Sequence, residues 1–243
     1  MAVVVGLAGG CGASAADDRH PDHRSFALHG RTLTVDSDDS ALEIVTSETA
    51  DPGRVAVTRW FQGHVTVGGD PRVTWAMEDE DRLVLRMKCS GVIADCSARH
   101  RIVVPRGVAV IVRERDGSVS ARGFTERLSV RTADGSVRVG DSSGPLDLRT
   151  ADGSIQVLGT AAPRVRARTE DGSVHLELAA VPDLVDARTD DGSVSIVLPR
   201  ARYRVAAGTG DGSVRVDVER DASSPHRVSA HTADGGITVR TAN

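Results

Sequence analysis

From about residue 110 onward, apolar and polar residues alternate on either side of a recurring Asp-Gly pair. The pair stands at Asp116, Asp134, Asp152, Asp171, Asp191, Asp211 and Asp234, at intervals of 18, 18, 19, 20, 20 and 23 residues. Six residues before each Asp the chain carries Val110, Leu128, Leu146, Val165, Val185, Val205 and Val228, and four before it Val112, Val130, Leu148, Ala167, Ala187, Ala207 and Ala230. Three residues after it come Val119, Val137, Ile155, Val174, Val194, Val214 and Ile237, and five after it the column runs from Ala121 to Val239. Apolar residues at every second position on both sides of a turn predict two short strands per repeat, each with one buried face.

The turn residues fit this reading, since Gly tolerates positive φ and Asp caps its own backbone. Two residues before the Asp, Thr132, Thr150, Thr169, Thr189, Thr209 and Thr232 share the inward parity and are expected to line the edge of the core. Arg131, Arg149, Arg168 and Arg188, three before it, are expected to point outward. An Asp-Gly turn between alternating runs also fits an antiparallel hairpin meander or sandwich. A β-solenoid explains more, because each column keeps its residue class through seven repeats and stacked coils put like upon like every ~4.8 Å. The expected fold is all-β, a β-solenoid or β-helix-like repeat body. Residues 25–110 carry a degraded form of the pattern, read as irregular coils with turns near Gln62-Gly63 and Glu78–Asp81, and 111–243 the regular repeats of the same single domain.

Composition agrees with narrow stacked coils: 40% of residues are hydrophobic but only 2% aromatic. The formal net charge is −4. With no basic excess and no row of stacking rings, nucleic acid is excluded as an expected partner. Trp60 and Phe61 are expected to fill the cap.

The first residues, MAVVVGLAGGCGASA, are apolar and small. They are too short to span a bilayer. Leu7-Ala8-Gly9-Gly10-Cys11 resembles the lipobox of bacterial lipoproteins. It implies a signal peptide over 1–11, lipidation of Cys11 and an outer-leaflet anchor, since two acyl chains suffice where one is marginal. Residues 12–24 are expected to form a polar tether. The remaining cysteines, Cys89 and Cys96, are six residues apart with no second pair to complete a zinc site, so a disulfide is expected.

The repeated Thr-x-Asp-Gly-Ser-Val, the stretch Ile102-Val103-Val104-Pro105-Arg106-Gly107 and the Cys89–Cys96 segment ahead of it resemble the DUF4097 family of adhesin-like bacterial surface proteins. The resemblance covers most of residues 30–240 and implies a solenoid-like extracytoplasmic domain.

No catalytic constellation is visible. The acids are spread along a ladder, the serines recur without a special copy, and His29, His64, His100, His175, His226 and His231 fall at unrelated positions. No cofactor and no metal site is expected. Calcium along the Asp column is the alternative, but the Arg column three residues away supplies matching positive charge. The function expected is that of a non-enzymatic, lipid-anchored, extracytoplasmic envelope protein that presents an Arg/Asp/Thr-striped surface to an envelope protein or a cell-wall glycan. A carbohydrate-active enzyme on a β-helix scaffold and an envelope-stress signalling accessory are the alternatives.

Overall fold

The structure is a computed structural model that describes residues 14–242. Seven strands form its N-terminal part: β1 (Asp22–Ala27), β2 (Thr32–Ser37), β3 (Ser40–Ser47), β4 (Arg54–Val65), β5 (Arg72–Glu78), β6 (Arg82–Lys88) and β7 (Ala94–Pro105). Paired strands follow, one pair per coil: β8 (Ala109–Arg113) with β9 (Val119–Arg122), β10 (Leu128–Arg131) with β11 (Val137–Gly140), β12 (Leu146–Arg149) with β13 (Ile155–Thr160), and β14 (Arg164–Arg168) with β15 (Val174–Leu178). The series continues with β16 (Leu184–Asp191) and β17 (Val194–Leu198), β18 (Arg202–Asp211) and β19 (Val214–Asp217), the short β20 (Glu219–Arg220), then β21 (Arg227–Asp234) and β22 (Ile237–Thr241).

The two strands of a coil belong to different sheets. Sheet A runs β1-β4-β7-β3-β9-β11-β13-β15-β17-β22-β19 and sheet B runs β20-β18-β21-β16-β14-β12-β10-β8-β2-β6-β5. Pairing between regular coils is parallel and in register, Val137 beside Ile155 and Leu128 beside Leu146. The body is therefore a solenoid, and the hairpin meander is excluded. All four apolar columns face the space between the sheets and join one core. The columns trade volume along the axis: sheet B narrows from Leu148 to Ala167 and Ala187 where sheet A widens from Val157 to Leu176 and Ile196. That exchange keeps a narrow interior close-packed without rings.

The Thr-x-Asp-Gly turn locks coil to coil. Gly153 has φ +146 and Gly172 has φ +141, a region L side chains avoid, and a Cβ on Gly172 would stand 2.4 Å from the Gly153 carbonyl oxygen. Beneath the turn, the buried Thr169 hydroxyl donates to the Gly153 carbonyl at 2.8 Å, with the Ala151 carbonyl at 3.1 Å sharing the proton. Thr150 and Thr189 repeat the arrangement on Gly135 and Gly172. The threonine column is therefore inward, as its parity implies, and forms no part of the outer stripes.

Three features depart from the sequence expectation. The segment expected as a tether is partly built into the body: Ala15 is buried, the Asp18 carboxylate accepts the Phe61 N–H at 3.0 Å, and β1 begins at Asp22. Gln62-Gly63 is no turn, because β4 runs through it, antiparallel to both β1 and β7. Gly63 is there for space, since a Cβ would meet the Phe61 ring at 2.7 Å and Pro71 at 3.1 Å. Trp60 is half-buried beneath Arg99, while Phe26, Phe124 and Tyr203 are the rings in the core.

The third departure is the order of stacking. β21 pairs on one side with β16 and on the other with β18, so the later coil lies between two earlier ones. The hydroxyl of Thr232 accordingly donates to Gly192, and that of Thr209 to Gly235. The 23-residue interval before Asp234 holds the return loop that makes this possible. A disulfide joins Cys89 to Cys96 with Cα atoms 6.2 Å apart, at the base of a tip that exposes Val67, Val92 and Ile93.

Thr169→Val keeps shape but strands the Gly153 and Ala151 carbonyls, and thermal or urea unfolding is expected to show a loss of about 1–3 kcal/mol. Gly172→Ala is expected to lose more, since both φ and the approach of the next coil forbid its methyl group.

Candidate functional site

Stacking like upon like turns sequence columns into surface stripes. At the turns, Asp116, Asp134, Asp152, Asp171 and Asp191 follow one another, then Asp234 and Asp211, all exposed. Hydrogen bonds with the Asp116 and Asp152 carboxyls raise the Asp134 carboxyl above the usual range. Among the described residues no three His, Cys, Asp or Glu side chains converge on a point that could hold a metal ion.

Three residues earlier, on the outer face of sheet B, Arg113, Arg131, Arg149, Arg168 and Arg188 stand in register, and His231 is next. The sequence placed this row as counter-charge to the Asp ridge, and the structure corrects that assignment. Arg149 pairs with Asp147 at 3.4 Å, while Arg168 and Arg188 converge on Asp186 at 2.9 and 3.0 Å. Burial pushes the Asp186 carboxyl up, but the hydrogen bonds from Arg168 and Arg188 outweigh it and hold the group below its ordinary value. Arg113 and Arg131 are exposed and form no ion pair. Arg164 and Arg166 on β14 add two more exposed cations. The −4 net charge thus conceals a segregated surface, with a ridge of acid beside a row of arginine.

Sheet A carries a shallow groove of about 720 Å³ that crosses the coils from β3 to β15. Ser118, Ser136, Ser154 and Ser173 line its floor, and Arg99, Arg138, Gln156 and His175 its sides. The Arg138 guanidinium donates to Gln156 Oε1 at 2.7 Å, and the Ser173 and Ser193 hydroxyls are 3.0 Å apart. His175 is half-buried there, while His231 is exposed on the opposite sheet. Among the described residues no serine hydroxyl is hydrogen-bonded to an imidazole.

Two buried ionisable groups were missed from the sequence. Glu114 occupies the threonine position of the first regular turn, two residues before Asp116, so the column itself marked it. Its Oε1 accepts the Ser40 N–H at 3.4 Å, its Oε2 is unpartnered, and burial first, aided by the Asp39 charge, pushes its carboxyl up to about 7. His100 lies on the inward parity of β7 with Ala98, Ile102 and Val104, and neither ring nitrogen has a partner. Burial, then the nearby Arg59 charge, lowers it to about 4. Both are buried, Glu114 beneath the start of the Asp ridge and His100 on β7, and both act on stability. Cys11 lies outside the described residues, and among those residues no helix is long and apolar enough to cross a membrane.

The family model described as Toastrack DUF4097 matches residues 105–240. Two solved structures match this chain. One is a putative cell adhesion protein from Clostridium sporogenes, at 12% identity and TM-score 0.42, covering 92% of this chain and 100% of that one. The other is a putative adhesin from Bacteroides fragilis, at 12% identity and TM-score 0.44, covering 92% and 98%. Among curated proteins none matches.

Glu114 favours its protonated form in the fold, so its contribution is complete below about pH 4.5 and lost as pH rises through about 7. His100 has the opposite sign, contributing above about pH 6.5 and failing as pH falls through about 4. In unfolding midpoints followed across pH, Glu114→Gln is expected to remove the alkaline loss, about 3 kcal/mol at full extent. His100→Leu is expected to remove the acid loss.

Proposed function

The chain belongs to the DUF4097 toastrack family, and from that membership and its surface chemistry we propose that it is a lipid-anchored, non-enzymatic, adhesin-like protein of the cell envelope. Its arginine row is the binding surface, and an anionic cell-wall polymer is its ligand. The observation that carries this reading is the in-register row Arg113 to Arg188, whose first two guanidiniums are left without acidic partners. Guanidiniums repeating at ~4.8 Å on a rigid sheet present planar forks suited to phosphate or carboxylate groups strung along a chain. The row runs alongside the Asp ridge, three residues away on each strand, which suits a narrow polymer better than a broad surface.

The anchor rests on Cys11 and the lipobox-like residues before it. A disulfide between Cys89 and Cys96 fits an oxidising, extracytoplasmic setting. Paired catalytic carboxylates, which a glycosidase needs across a cleft, have no counterpart in the sheet A groove, where Glu43 is the acid and is held by Arg99 and Arg101.

Two experiments test the two halves of the proposal. Intact mass of the membrane-extracted protein is expected to show a chain beginning at a diacylated Cys11, and Cys11→Ser is expected to release the protein from the membrane. An unmodified chain still beginning at Met1 overturns the anchor. The Cys11→Ser chain is expected to co-sediment with wall polymer rich in phosphodiesters and to be released by salt. Replacing both Arg113 and Arg131 with Gln is expected to weaken binding about tenfold. Equal binding to a neutral glucan, or indifference to salt, overturns the ligand.

A further inference from the structure

The two ends of the solenoid are finished differently. At the N-terminal end the sheets finish with β1 and β5, each antiparallel to its one neighbour, and the 3-10 turn Ala15–Asp17 packs against β4 and β7. At the other end β20 covers only Arg202 and Tyr203 of β18, and β19 has β22 on one side and nothing on the other. Edge strands of this kind are usually blunted by lysine, proline, bulges or inward charge. β19 is four residues long and carries Arg215 and Asp217 outward, but it has no lysine, proline, bulge or inward charge. Its inward residues are Val214, 43% exposed, and Val216, with Val218 following at the same parity.

The backbone of this edge is as unsatisfied as its side chains. The Ser213 carbonyl accepts the Ile237 N–H, so Ser213 and Arg215 direct their peptide groups toward β22. By alternation, those of Val214 and Val216 point into the open edge.

We propose that this edge pairs antiparallel with the same edge of a second copy, about a two-fold axis through Val216. The sequence Val214-Arg215-Val216-Asp217-Val218 is its own complement in that register. Val216 faces Val216 of the second copy and Val214 faces Val218, which joins the two open core ends through valine alone. Arg215 faces Asp217 on the outer surface, and the reciprocal pair forms beside it. Those two residues already lie 2.5 Å apart within one chain, 75% and 51% exposed, so pairing gives a cluster of four alternating charges. The N–H and C=O groups of Val214 and Val216 are the ones an antiparallel neighbour needs at these positions. A shift by one residue would set like beside unlike and turn the valines outward, so the register is specified. The contact is isologous, so it uses the edge of both copies and closes at two. This inference is independent of what the arginine row binds.

The test is the mass of the Cys11→Ser chain by light scattering and sedimentation over a concentration series. The wild-type edge is expected to give twice the 25.5 kDa monomer as concentration rises. Arg215→Asp sets acid against Asp217 and is expected to leave monomer, while the double exchange Arg215→Asp with Asp217→Arg restores opposite charges and is expected to restore the dimer. Val216→Pro removes an N–H that faces the open edge, costs the monomer no hydrogen bond, and is expected to abolish pairing. At concentrations where the wild type is monomeric, the unfolding midpoints of all variants are expected to match it, which separates lost pairing from lost folding. A wild-type chain that stays monomeric, a dimer indifferent to Arg215→Asp and Val216→Pro, or growth into filaments overturns the proposal.

Discussion

The approach of one glycine to the carbonyl of the next is the constraint from which the solenoid follows. At each turn the backbone of a coil comes within a distance that no Cβ allows, and the threonine hydroxyl below donates into the carbonyl groups so brought together. The strands on either side are only four to eight residues long in most coils, too short to hold register alone. Fixing the turns fixes the register of both sheets at once. The apolar columns then stack without choice, and small aliphatics suffice because the sheets lie close together.

The same constraint sets the electrostatics. A fold that places like upon like cannot distribute charge evenly, so polar columns become rows of one sign. The protein relieves these rows differently. Arg149, Arg168 and Arg188 find Asp147 and Asp186 within their own sheet, whereas the turn aspartates stand in solvent, where hydrogen bonds with its neighbours raise the Asp134 carboxyl. The two unpaired arginines stand at the end of the row nearest the irregular coils, where Asp36 and Ile111 replace the regular pattern.

Much of this was legible in the sequence because the periodicity repeats seven times. Strand pairs, inward columns, the parity of the threonines and the Cys89–Cys96 bridge could be read from spacing and residue class. What spacing could not give was adjacency across the chain. Nothing local shows that Arg168 would turn to Asp186 instead of Asp171, or that β4 would run through Gly63 to meet β7 antiparallel. Glu114 and His100 were readable in principle, each a polar residue in an apolar or hydroxyl column. Neither recurs from coil to coil, so no column of like residues marks its burial. Two of the three groups of surface residues on which a functional reading turns, the ridge and the row, were visible as columns, but their separation from each other was not.

The interleaving of β21 and β22 bears on how the body assembles. When β16 and β17 have formed, the coil that emerges next is β18 and β19, whose inward residues Val205, Ala207, Val214 and Val216 nearly duplicate Val228, Ala230, Ile237 and Val239. The earlier coil can therefore settle on an edge that belongs to the later one, and native order requires it to yield. Little distinguishes the two: Ile237 in place of Val214 adds one methylene, about 0.8 kcal/mol. The return loop adds the Ser224 hydroxyl bound to the Arg202 carbonyl and the Arg227 N–H bound to Asp183. The order of the last two coils thus rests on one methylene and on the contacts of the return loop, not on any difference in the pattern that the repeats share.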